Sequence, residues 1–134
     1  MERIVALARS RIGHSRYQLG SDPTLAPEIV DCSSFTQWAF EQIGVEIPRL
    51  SAEQALVATR VTRGNTRPGD LIFMEGRCYR HVPNLPPDHV GHVGIVAEDL
   101  THFIHATHRP NGVHVGLISL IPPWRLRFFG RIEI

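Results

Sequence analysis

The spacing of apolar residues changes once along this chain, at Pro68-Gly69-Asp70, and that change constrains the fold more than any other feature. Before it, apolar positions recur at helical spacing; after it, they form short runs bounded by Gly, Pro or Asp. Ile4, Val5, Leu7, Ala8 and Ile12 predict a first helix over residues 2–12, interrupted at Gly13. From Cys32, Phe35, Ala39 and Ile43 follow at nearly regular steps with Trp38 alongside, and Gly44 supplies a stop. Ser51 with Gln54 three residues on reads as a capping box that opens a third, short helix through Ala55, Leu56 and Ala58. Residues 18–30 hold Gly20, Asp22, Pro23 and Pro27 without any period, and read as a loop. The runs 71–74, 92–97, 102–107, 113–118 and 126–133 read as strands. Helices first and strands later give an α+β class.

With 134 residues and 43% hydrophobic content, the chain fits one domain, 1–134, with a real core and one site to look for. All fourteen basic residues are arginine and nearly balance thirteen acidic ones; a net charge of +1 offers no electrostatic case for nucleic acid. No run reaches membrane-spanning length. The first nine residues carry charges within their apolar stretch and lack a signal peptide's h-region. The expected location is therefore cytoplasmic as written, or that of an excised or otherwise exported domain.

Two cysteines, Cys32 and Cys78, are too few for a stapled scaffold. A thiol attacks a carbonyl as thiolate, and the unpaired N–H groups at a helix start favour that anion. Cys32 is predicted at such a start, behind Asp31 as a helix cap. The same N–H groups can hold the oxyanion formed during acyl transfer, so the general base must come from elsewhere. Cys78 has Arg77, Tyr79, Arg80 and His81 around it, but no helix start.

A hairpin centred between Glu98 and Asp99 would pair positions whose numbers sum to 197. His92 and His105 meet that sum, which predicts them opposite one another on one sheet face. One could take the Cys32 proton while the other orients it.

Five segments in order now resemble a known family: Asp31-Cys32-Ser33-Ser34; Ile47-Pro48-Arg49 with Gln54; Pro68-Gly69-Asp70-Leu71-Ile72-Phe73; His92-Val93-Gly94-Ile95; and Phe103-Ile104-His105-Ala106. Together they resemble the NlpC/P60 family of papain-like cysteine peptidases, from about Tyr17 to Val115. The resemblance implies a papain-like fold with N-terminal helices packed on a central antiparallel sheet. It implies Cys32 as nucleophile, His92 as base and His105 as its orienting partner. It marks Tyr17, Asp31 and Ser33 as candidate substrate-binding residues, and a peptide or muropeptide as substrate. Family members commonly cut the bond between D-glutamate and the diamino acid of peptidoglycan stem peptides. No metal or organic cofactor is implied, and the sequence carries no signal of oligomeric state.

Three departures bear on substrate choice: Ser34 where the family usually has glycine, the segment Gln18-Leu19-Gly20-Ser21, and the long connection from Glu75 to Val90, expected to overhang the site. Arg49 reads equally as a surface charge or as a grip on a substrate carboxylate. Other readings are an amidase or acyltransferase on a non-peptidoglycan substrate, a module that binds without turnover, and zinc binding through His89, His102, His108 or His114.

Overall fold

The computed structural model describes residues 2–76 and 90–134. Helices α1 (Glu2–Ser10), α2 (Cys32–Glu41) and α3 (Ser51–Val57) come first, as the helical spacing predicts. Strands β1 (Arg16–Tyr17) and β2 (Ile29–Val30) form a two-residue parallel pair. The main sheet contains β3 (Thr59–Val61), β4 (Leu71–Glu75), β5 (Val90–Val96), β6 (His102–Thr107), β7 (Gly112–Leu117) and β8 (Leu126–Arg131). Its order is β3-β8-β4-β5-β6-β7, antiparallel throughout. The chain is α+β, as read from its sequence. Among the described residues no helix is long and apolar enough to cross a membrane.

The central strands β4 and β5 are buried on both faces. One face, with Leu71, Phe73, Val93, Ile95, Ile104 and Ala106, meets Ile4, Val5 and Ala8 of α1 and Phe35, Ala39 and Phe40 of α2. The other packs Ile72, Met74, Val96 and Phe103 against Ile118 and Phe129. Burial on two sides explains why β4 and β5 read as continuous apolar runs. Each fully covered Phe or Ile contributes about 1.5–3 kcal/mol from the area it removes from water. Gly44, at φ 80°, adopts the left-handed conformation that ends the α2 segment.

Four local expectations need correction. Residues 18–30 are not wholly irregular: Ile29 and Val30 pair with Arg16 and Tyr17, satisfying backbone groups that a bare loop would leave open. Residues 59–61, outside the runs read as strands, form an edge strand on β8, a partner some 70 positions away that local pattern cannot reveal. The cap of α3 is Leu50, whose N–H is held by Glu53 Oε1 at 3.2 Å; Ser51 Oγ is buried with no hydrogen-bond partner. Gln54, the expected capping partner, instead turns inward, its Nε2 donating to Ser33 O at 3.0 Å and Pro48 O at 2.8 Å.

The fourth is the β5–β6 register. Ile95 pairs with Ile104 and Val96 with Phe103, so paired numbers sum to 199 rather than 197. Asp99 Oδ1 accepts from both Thr101 N and His102 N at 3.0 Å, and Leu100 turns at φ 63°. Those contacts move the centre of the loop one residue along. A shift of two in the sum keeps every side chain on its face.

Candidate active site

Cys32 is the first residue of α2, and Asp31 is its cap. Asp31 Oδ1 accepts from Ser34 N at 2.8 Å, and Ser34 Oγ accepts from Asp31 N at 2.9 Å. Ser34 thus closes a reciprocal box that glycine at this position could not close. Arg49 then grips the cap: Nη1 donates to Asp31 Oδ1 at 3.0 Å and Nη2 to Oδ2 at 2.8 Å. Its Nη1 also reaches Ser33 Oγ at 2.9 Å. Arg49 is therefore neither a solvated charge nor open to a substrate carboxylate. Its guanidinium offsets the capping carboxylate, so the start of α2 keeps the positive potential that favours a thiolate.

Cys32 is buried in the same apolar cluster as Val93 and Ala106, the chain neighbours of His92 and His105. His92 Nε2 and His105 Nδ1 are 2.8 Å apart, sharing one hydrogen bond, with the rings nearly perpendicular at 70°. In the observed register His105 lies opposite Gly94 and His92 lies on the diagonal; at diagonal range long or aromatic side chains still touch. A Cβ on Gly94 would stand 2.9 Å from Phe103 Cδ2 and 3.2 Å from His105 Cβ. One on Gly116, across β7, would stand 2.8 Å from the Phe103 ring and 3.4 Å from His105 Nε2. The two glycines make the slot in which His105 lies against Phe103, with ring centres 4.4 Å apart. Glycines 94 and 116 share an alternating face with His105, a signal visible in the sequence alone.

Burial holds the His92 imidazole well below its usual pKa, with the charges of His105 and Arg125 acting in the same direction. Burial also lowers His105, to about 4, with help from Arg125 and His114. Both rings are therefore neutral at pH 7. Their shared hydrogen bond then requires that one nitrogen carry the proton and the other accept it.

A cleft of about 820 Å³ opens beside the pair, lined by Tyr17, Gln18, Gly91, His92, His105 and Arg125 among others. Tyr17 is fixed from two sides. It pairs with Val30, two residues before Cys32, and Asn111 bridges its backbone, Nδ2 donating to Tyr17 O at 3.1 Å and Oδ1 accepting from Tyr17 N at 3.0 Å. Asp31 and Ser33 are buried, their side chains engaged with Arg49, and neither lines the cleft. Gly76 and Gly91 contribute lining at the base of the long connection; residues 77–89, with Cys78, His81 and His89 and the expected overhang, lie outside the described residues. Of the other histidines, His102 pairs with Asp99 at 2.6 Å, His108 sits beside the Tyr17 ring, and His114 lies opposite His105. Among the described residues no three His, Cys, Asp or Glu side chains are grouped to hold a metal.

The sequence profile of the NlpC/P60 family matches residues 14–125, which include the helix start, the histidine pair and the cleft. The chain belongs to the NlpC/P60 family. It is 44% identical over 115 residues to the murein DD-endopeptidase MepS/murein LD-carboxypeptidase of Escherichia coli K12, covering 84% of this chain and 52% of that protein. The NlpC/p60 domain of the peptidoglycan hydrolase SagA superposes with a TM-score of 0.72 at 28% identity, covering 96% of this chain and 95% of that one. RipD of Mycobacterium tuberculosis, described as a non-catalytic NlpC/p60 domain protein adapted to peptidoglycan binding, superposes with a TM-score of 0.74 at 18% identity, covering 98% and 96%, and so shares the fold. The chain spans 52% of MepS and 14% of a Listeria seeligeri p60, so about half or less of these curated relatives' length. This NlpC/P60 chain thus carries a family of cysteine peptidases' fold, with a hydrogen-bonded histidine pair lining the cleft and, at a helix start, a thiol that is buried and is not itself among the cleft's lining residues.

Proposed function

We propose that this chain hydrolyses an amide bond of a peptidoglycan stem peptide, the D-glutamyl bond to the diamino acid, through Cys32, His92 and His105. The observation that carries this reading is the 2.8 Å bond between His92 Nε2 and His105 Nδ1 at the edge of the cleft. If His92 Nε2 donates to His105 Nδ1, the other ring nitrogen of His92 has a lone pair with which to take the Cys32 proton. His105 then carries its own proton on Nε2 and fixes the His92 ring and tautomer.

Cys32 thiolate attacks the carbonyl carbon, and the backbone N–H of Cys32 stabilises the oxyanion at the helix start. His92, now protonated, gives its proton to the leaving amine as the C–N bond breaks. Water, deprotonated by His92, releases the acyl group from the thioester. Tyr17 is the substrate-facing residue: it lines the cleft with both histidines and pairs with Val30, two residues before Cys32. Asp31 and Ser33 act through position, holding the start of α2 with Arg49.

The test is incubation of the chain with a defined stem peptide, followed by mass spectrometry of the products. Cleavage between D-glutamate and the diamino acid, lost in Cys32→Ala and in His92→Ala, is the expected result. Binding of the peptide without any cleavage would replace this reading with that of a binding module.

A further inference from the structure

Arginine is the only basic residue type in this chain apart from histidine, and most of the partly buried ones are already matched to carboxylates. Arg49 is paired with Asp31, Arg131 with Asp70 and Arg11 with Glu28. Arg125 differs. It is half-buried and lines the cleft, and it has no carboxylate partner among the described residues. Its place is nonetheless fixed: Nε donates to Glu75 O at 3.2 Å, while its own carbonyl accepts from Glu75 N at 2.8 Å and its N–H donates to Pro122 O at 2.9 Å.

The cleft around it is cationic. Arg109 also lines it, and none of its described lining residues is Asp or Glu. A concave site lined by one sign of charge concentrates ligands of the opposite sign. A guanidinium held by one nitrogen, with its remaining N–H groups uncommitted among the described residues, suits the planar two-oxygen face of a carboxylate.

We propose that Arg125 is a specificity-determining residue that binds a carboxylate of the substrate on the leaving side of the scissile bond. This deepens the reading given above and depends on it in one respect: His92 delivers the proton to the leaving amine, so a group that lines the cleft with both histidines lies towards the leaving residue. Its positive charge is felt by both imidazoles, consistent with that position. The substrates favoured are then peptides in which the residue supplying the leaving amine carries a free carboxylate, over those in which that group is amidated.

Binding to the full chain with Cys32→Ala, which does not turn over, separates this from the hydrolysis reading. Two forms of a stem tripeptide ending in the diamino acid serve as probes, one with its diamino-acid carboxylates free and one with them converted to primary amides. Calorimetric titration is expected to show the free acid binding about 10- to 100-fold more tightly, the range of a charge-assisted hydrogen bond. Adding Arg125→Gln should remove most of that difference while leaving amide binding within about twofold. Adding Arg125→Lys, which keeps the charge but loses the planar fork, should keep part of it and guards against a folding defect in the glutamine variant. Equal binding of acid and amide, or a preference undiminished in Arg125→Gln, overturns the assignment. A preference that obeys these expectations in a chain that cuts neither peptide would leave the carboxylate site standing and remove the hydrolase reading.

Discussion

Arg49 holds Asp31 through two parallel hydrogen bonds of 3.0 and 2.8 Å, one residue before the cysteine that starts α2. Without that guanidinium the capping carboxylate faces Cys32 uncompensated and disfavours a thiolate. Arg49→Gln is therefore expected to move the pH dependence of Cys32 alkylation by iodoacetamide upward by about one pH unit. The broken fork should also cost about 1.5–3 kcal/mol of stability, read by urea denaturation. An unchanged alkylation profile would show that Arg49 has only a packing role.

Ser34 accepts the Asp31 N–H at 2.9 Å inside the protein. Ser34→Ala leaves that donor without its acceptor, and a loss of about 1–2 kcal/mol is expected from chemical denaturation. Ser34→Gly should lose about 0.5–1 kcal/mol more, because glycine has more backbone freedom to give up in a helix.

Gly94 leaves the space that His105 and Phe103 fill. Gly94→Ala would put a methyl group 2.9 Å from Phe103 Cδ2, so the ring or the strand must move. We expect about 1–3 kcal/mol of destabilisation. Displacement of His105 should lower kcat about 10- to 100-fold with a smaller change in KM, measured on the stem peptide. A kcat at the wild-type level would mean that His105 tolerates displacement.

Both histidines of the pair bind protons less readily folded than unfolded, His105 with a pKa of about 4 against an ordinary 6.5. Between those values the unfolded chain holds more protons at His105, so its contribution to stability falls as pH drops from about 6.5 to 4 and levels below. The shift of His105 corresponds to roughly 3 kcal/mol over that window, and the depressed His92 acts with the same sign. Thermal denaturation from pH 7 to 4 should show the loss, and His105→Gln should reduce it.

Much of the site was legible because its signals are local. Asp31 before Cys32, the apolar stripe through Phe35 and Ala39, and Gly44 fixed where α2 starts and stops, since capping and helical period act within a few residues. Strand alternation places His92 and His105 on one face, and this holds for pairing sums of 197 and 199 alike because a change of two conserves parity. The register itself depended on Asp99 and the left-handed Leu100, a turn whose form the surrounding sequence does not announce.

By itself, then, the sequence determined the α+β order of elements, the helix start that carries Cys32, and the face shared by the two histidines. Tertiary structure alone decided that Arg49 closes on Asp31 across 18 positions and that Asn111 ties down Tyr17 across 94. It also decided that Arg125, which lines the cleft, is anchored to Glu75 across 50. Periodicity and capping are written in neighbouring residues. Ion pairs and cleft walls form between segments that only the packed sheet brings together, and single side chains on distant elements leave no repeating pattern from which to read them.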